Sequence, residues 1–159
     1  MAADHEYHVT VEWQGNRGTG TSGVREFSRV HEVRAAGKPA LAASADPQLR
    51  GDADRWNPEE LLVAALSQCH MLWFLHLAAL AGVVVTEYMD AAVGTMVMER
   101  TGAGQFTKVE LRPVVAVTDQ AMSPEVPELH DKAGQMCFIA RSVNFPVVCE
   151  AQVRVVTQA

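Results

Sequence analysis

Hydrophobic positions alternate near both ends of the chain and crowd together in its middle. Over residues 8–14, Val9, Val11 and Trp13 fall on one side of an extended segment. A second candidate strand spans residues 24–33 beyond a glycine-rich turn, so the pattern predicts an opening hairpin. Periodicity is lost over residues 34–55, where Ala35-Ala36-Gly37-Lys38-Pro39 and Ala45-Asp46-Pro47-Gln48 read as a long loop, a feature more often functional than idle. A helix then starts at a clear signal. Asn57 stands as the N-cap, Pro58 fits the first helical position, Glu60 completes a capping box, and Gly82 supplies the stop. The helix is about 24 residues long, roughly 36 Å.

Beyond it, residues 88–98 and 106–117 are predicted strands joined by the turn Thr101-Gly102-Ala103-Gly104. In the second of them Thr107, Val109, Leu111, Val115 and Val117 share one face, opposite Lys108, Glu110 and Arg112. Ser123-Pro124 opens a second helix through Leu129, Ala133 and Met136, with a break expected near Gly134. A closing strand over residues 147–156 places Val147, Cys149, Ala151, Val153 and Val155 on one face. The order ββ, long helix, ββ, helix, β predicts an α+β fold in a single domain over residues 1–159.

Composition narrows the picture. The chain has 159 residues, 48% hydrophobic and 20% charged, which suits one globular core. Thirteen basic against 19 acidic residues give a formal charge of -6, and the basic residues are scattered, so neither nucleic acid nor an acidic membrane surface is an expected partner. Residues 61–85 are long and apolar enough to test as a membrane span. Ser67-Gln68-Cys69-His70 and His76 interrupt them, which favours a buried core helix. The amino terminus lacks a secretory pattern, so the cytoplasm is the expected compartment, and three cysteines make no disulfide framework.

Several motifs lose their meaning in context. Gly18-Thr19-Gly20-Thr21-Ser22-Gly23 fits a dinucleotide fingerprint, but the residues after it have strand rather than helix character. The cysteines form no CxxC, and neither predicted helix carries two histidines at ligand spacing, so no metal is expected. Cys149 lies among valines and reads as core. His70 adjoins Cys69, but neighbouring helical residues do not face each other, and it reads as a core or cavity histidine. Cys69 interrupts the helix within a polar cluster, and Cys137 follows the expected break, where free backbone N–H groups lower a thiol pKa. These two are either a redox pair or two buried structural cysteines.

Asn57-Pro58-Glu59-Glu60-Leu61-Leu62, then Ala64-Ala65 and Cys69, resembles the first signature of the OsmC/Ohr family, the osmotically inducible and organic hydroperoxide resistance proteins. Leu111-Arg112-Pro113, His130, Ala133, Cys137 and Ser142-Val143 resemble its later segment, and Trp13 with Arg17-Gly18-Thr19-Gly20-Thr21 its opening. The resemblance implies an OsmC-like fold, antiparallel sheets on a long buried central helix, in an intertwined homodimer. It implies a thiol-dependent peroxidase without metal or organic cofactor, acting on organic hydroperoxides and returned to thiols by a dithiol or lipoyl-type reductant. Cys69 would be the peroxidatic thiolate, Cys137 the resolving thiol, Arg17 the cation holding the thiolate, and Glu59 the carboxylate orienting that guanidinium. Arg50 and Arg55 are the substitutes for Arg17. His70-Met71 and Phe138-Ile139-Ala140 depart from the better-known branches, so the pocket lining, with Met71, Trp73, Phe74 and Phe138 as apolar candidates, is this chain's own. The alternatives are a non-catalytic small-molecule-binding member of the fold and a cysteine hydrolase.

Overall fold

A computed structural model describes residues 4–156; the outermost residues of the expected single domain lie outside that range. The chain forms two compact units, one ending at Leu61 and one beginning at Leu62.

In the first unit β1 (Thr10–Trp13) pairs antiparallel with β2 (His31–Arg34), Thr10 opposite Arg34 and Trp13 opposite His31. The opening hairpin is present, but its second strand starts at His31 rather than at residue 24. The reason is local: Asn16 Oδ1 accepts from the N–H groups of Gly18 at 2.9 Å and Gly20 at 3.0 Å, and both glycines adopt positive φ, which winds the connection into turns. No helix follows this glycine-rich stretch. β3 (Leu41–Ala43) pairs with the other edge of β2 within the span read as loop. Three residues are too few to display an alternation.

α1 runs unbroken from Pro58 to Ala81. Asn57 Oδ1 accepts from the Glu60 N–H at 2.8 Å, and Glu60 reaches back to the Asn57 N–H at 3.4 Å. This is the reciprocal cap expected from the sequence, and Gly82, at φ 74°, ends the helix in the left-handed conformation.

In the second unit the three predicted strands are each broken at one level. Residues 85–98 form β4 (Val85–Asp90) and β5 (Val93–Met98), residues 104–117 form β6 (Gly104–Leu111) and β7 (Pro113–Val117), and the closing strand forms β8 (Val147–Cys149) and β9 (Gln152–Val155). Two three-stranded sheets result, ordered β4-β7-β9 and β5-β6-β8. Asp90 turns inward at the break and its Oδ1 accepts from the Arg112 N–H at 2.7 Å, just before Pro113, which has no N–H to offer a ladder. β4·β7 and β5·β6 are antiparallel as expected, whereas β8 and β9 add in parallel because α2 (Val126–Met136) carries the chain back before them.

The expected break at Gly134 is absent: α2 continues to Met136, and Cys137 follows in extended conformation. A helical glycine costs only about 1 kcal/mol, less than burial of Leu129 and Ala133 on the same helix returns. α1 buries a stripe at four-residue spacing, Leu66, His70, Phe74 and Ala78. Leu66 joins Val109 and Leu111 in one core cluster, while Phe74 and Ala78 join Val115, Val117 and Leu129 in the other. α1 has the length and mean hydropathy of a membrane span, yet this stripe makes it the core helix of the second unit. Its other faces are less covered, with Leu72 60% and Leu80 73% exposed.

Candidate functional site

α1 holds Cys69 half-buried, and the end of α2 delivers Cys137 to it, 1% exposed. The two free thiols are within hydrogen-bonding reach of each other. Burial pushes the Cys137 thiol up to about 11, and the hydrogen bond and charge of Cys69 act in the same direction, against the N–H groups of Ala140 and Ile139. The Ala140 N–H donates to Cys137 Sγ at 3.3 Å. The expectation that free N–H groups lower this thiol is therefore corrected: they are present, but desolvation outweighs them. Cys137 therefore stays protonated at physiological pH. Trp73, one turn beyond Cys69, meets Phe138 edge to face at 5.5 Å, giving the pair an apolar border. Phe74 is not part of it; its ring is fully buried and stacks on His130 at 4.0 Å.

The charged candidates of the first unit separate from one another. Glu59 is half-buried, with one carboxylate oxygen lacking a partner among the described residues. It lines a cavity of about 280 Å³ with Trp13, Phe27, Arg29 and His31. Arg29 lies over the Phe27 ring at 4.3 Å and donates to the carbonyls of Val24 and Phe27. Arg17 is exposed in the β1–β2 connection and does not line this cavity. Arg50, at φ 69°, donates to the Val24 carbonyl at 3.5 Å, and Arg55 lies 3.9 Å from Asp52. Arg29 was missed by the sequence reading. The signal available was Phe27-Ser28-Arg29, because in an extended chain residues two apart lie on one side.

A second cluster in the Leu62–Ala159 unit had no signal in the sequence. His70 on α1 and His130 on α2 are 2% and 3% exposed, with His70 Nε2 2.9 Å from His130 Nδ1 and the rings parallel within 6°. Cys149 Sγ on β8 lies 3.7 Å from the same His130 Nδ1. Burial pushes both imidazoles down, His130 to about 4, so both are neutral at physiological pH. Burial also pushes the Cys149 thiol up to about 12, which makes it a poor nucleophile. His130 Nε2 and the Tyr88 hydroxyl are buried without partners among the described residues.

Comparison with known proteins accords with this architecture. An OsmC-like protein of unknown function from Vibrio cholerae O1 biovar eltor is 34% identical, and its structure matches with a TM-score of 0.84 over 94% of this chain and 100% of that one. An organic hydroperoxide resistance protein from Elizabethkingia anophelis shares the fold at 18% identity, with a TM-score of 0.70 over 98% of this chain and 99% of its own. The uncharacterized protein YmaD of Bacillus subtilis (strain 168) is 23% identical over 157 residues, 96% of this chain and 97% of that protein. The family model for OsmC-like protein matches residues 51–152, well over half of the chain and the span that carries the capped helix and both paired cysteines, and the chain belongs to the OsmC-like family.

Proposed function

We propose that this protein is a cytoplasmic thiol-dependent peroxidase that reduces organic hydroperoxides, working as one OsmC-like domain per chain. The observation that supports it most is the meeting of a half-buried Cys69 with the buried, protonated Cys137 beside the apolar edge of Trp73 and Phe138. The likeness of fold to an organic hydroperoxide resistance protein points the same way. Cys69 thiolate attacks the terminal peroxide oxygen, the O–O bond breaks, and the alkoxide leaves as an alcohol after taking a proton. The sulfenic acid on Cys69 is then attacked by the Cys137 sulfur; its S–O bond breaks, a disulfide forms, and water carries away the oxygen with the Cys137 proton. A dithiol, such as a lipoyl group, restores both thiols by exchange.

The thiolate needs a cation, and the reading assigns it to Arg17 oriented by Glu59, with Arg29 as a further candidate because it shares a cavity with that carboxylate. Glu59 and Cys69 sit ten residues apart on an unbroken helix, about 15 Å along its axis. In a homodimer with two α1 helices antiparallel across a two-fold axis, Glu59 of one chain approaches Cys69 of the other, and the exposed Leu72 and Leu80 are covered.

Stopped-flow oxidation of reduced protein by an organic hydroperoxide, followed by peptide mapping, tests the chemistry. One equivalent should be consumed per chain with a Cys69–Cys137 bridge formed. No consumption leaves the non-catalytic binding reading, and turnover of an acyl ester instead identifies a hydrolase. Mixing Glu59→Ala and Cys69→Ser proteins tests the shared site. Recovery of activity on subunit exchange is expected, and its absence despite proven exchange rejects the arrangement.

A further inference from the structure

We infer that His70, His130 and Cys149 form a binding site for one cation of the Zn2+ class, independent of the Cys69–Cys137 pair. The three donors come from α1, α2 and β8, and one ligating atom from each lies within 4.8 Å of the other two. With Zn–N bonds of about 2.0–2.1 Å and a Zn–S bond of about 2.3 Å, tetrahedral ligands sit roughly 3.3–3.6 Å apart. The separations of 2.9 Å and 3.7 Å from His130 Nδ1 bracket that range, and ligation requires the facing nitrogens to turn from each other toward a common point.

Hydrogen bonding inside the cluster is incomplete in a way a cation resolves. His130 Nδ1 faces both His70 Nε2 and Cys149 Sγ, yet an imidazole nitrogen offers one in-plane lone pair or one proton. Two neutral groups therefore compete for a single hydrogen-bonding position on His130. One cation accepts all three lone pairs at once. Two imidazoles and a thiolate are a donor set suited to Zn2+ or Co2+ rather than to Mg2+ or Ca2+.

Protonation is consistent with this. Both histidines are neutral at physiological pH, so no proton has to leave the rings; His70 carries its hydrogen on Nδ1 and His130 on Nε2 when the facing nitrogens ligate. Cys149 releases one proton to solvent, because a cation offsets the burial that otherwise holds the thiol neutral. The resulting site of one divalent cation and one thiolate carries a single positive charge. Asp90 lies near enough to act electrostatically on both His70 and Cys149 and balances that charge from outside the ligand set, since its oxygens already accept from Ser67 Oγ at 2.5 Å and the Arg112 N–H at 2.7 Å. The Tyr88 hydroxyl is also buried without a partner among the described residues, and its ring lies 6.3 Å from that of His130. A cation here ties α1, α2 and β8 together.

The test is titration of reduced, chelator-treated protein with Co2+. A thiolate-to-cobalt charge-transfer band should grow to saturation at one equivalent per chain and be displaced by Zn2+. The band should be lost in Cys149→Ser and kept in the Cys69→Ser/Cys137→Ser double variant, and Zn2+ should raise Tm of the wild type but not of Cys149→Ser. X-ray absorption of the Zn2+-loaded wild type should show one sulfur and two imidazole nitrogens, a readout that needs no variant to fold. No charge-transfer band, a band that survives Cys149→Ser and vanishes in the double variant, or a shell of oxygens alone or of two sulfurs overturns the assignment.

Discussion

Cys69 and His70 are consecutive residues of α1 that serve two different places in the protein. Cys69 meets Cys137 at the end of α2, beside backbone N–H groups and an aromatic edge. His70 meets His130, seven residues earlier on α2, between the Phe74 ring and Cys149. Adjacent helical positions point about 100° apart, so one step along the chain exchanges a half-open thiol pair for a closed imidazole cluster. Environment then sets the chemistry. Cys137 and Cys149 are both pushed up by burial, but Cys137 has a second sulfur within reach and Cys149 has two neutral imidazole nitrogens. The first arrangement suits sulfur redox chemistry and the second suits coordination or simple packing.

The largest difference between the two places should appear in turnover. Cys69→Ser should abolish hydroperoxide consumption, a loss on the order of 10³-fold or more. Cys137→Ser should complete one oxidation and stall at the sulfenic acid. Stopped-flow kinetics with mass spectrometry separates these, and equal single-turnover defects would contradict the division of roles.

Stability should distinguish them next. Phe74→Ala removes a fully buried ring that also covers His130, and should cost about 3–5 kcal/mol. Urea unfolding measures it; a loss below about 1 kcal/mol would show that the wall of the imidazole cluster is not part of the core.

Acid should act on the imidazole side. His130 has a folded pKa of about 4, below the ordinary 6.5, so the unfolded chain binds more protons in between. The stability from a neutral His130 is fully present above pH 6.5 and is lost progressively as pH falls toward 4, by roughly 3 kcal/mol. His70 shifts in the same direction and adds to the loss. Urea midpoints at pH 7 and pH 4.5 should differ accordingly in wild type and less in His130→Phe. An equal slope in the two proteins would remove His130 from the account.

The smallest effect belongs to Cys149→Ala, about 1 kcal/mol for a partly buried thiol in metal-free protein, with hydroperoxide consumption retained. Loss of consumption in a folded Cys149→Ala protein would merge the two places into one.

Several parts of this fold are readable residue by residue. The Asn57–Glu60 cap and the Gly82 stop act within one turn, so their signals survive in the sequence unaltered. The long strands of the second unit show their extent because alternation is local, but their common break does not, since it depends on Asp90 reaching Arg112 across 22 residues. β3 was invisible because three residues carry no period, and the break expected at Gly134 gave way to the buried faces of Leu129 and Ala133. Cys69 and Cys137 stood out as a polar interruption and a residue after an expected break, but only the family resemblance, not their spacing of 68 residues, paired them. Arg29 escaped notice because its value lies in the cavity it shares with Glu59.

Element type, helix limits and the choice of residues able to do chemistry follow from interactions between near neighbours, which an ordered list of residues contains in full. Which of those residues meet, and in what protonation state, follows from long-range packing and desolvation. His70, His130 and Cys149 are separated by 60 and 19 residues, and the local pattern gives no sign that they meet. They become a cluster only when α1, α2 and β8 close around them, because exclusion of water both neutralises the imidazoles and leaves one nitrogen facing two partners.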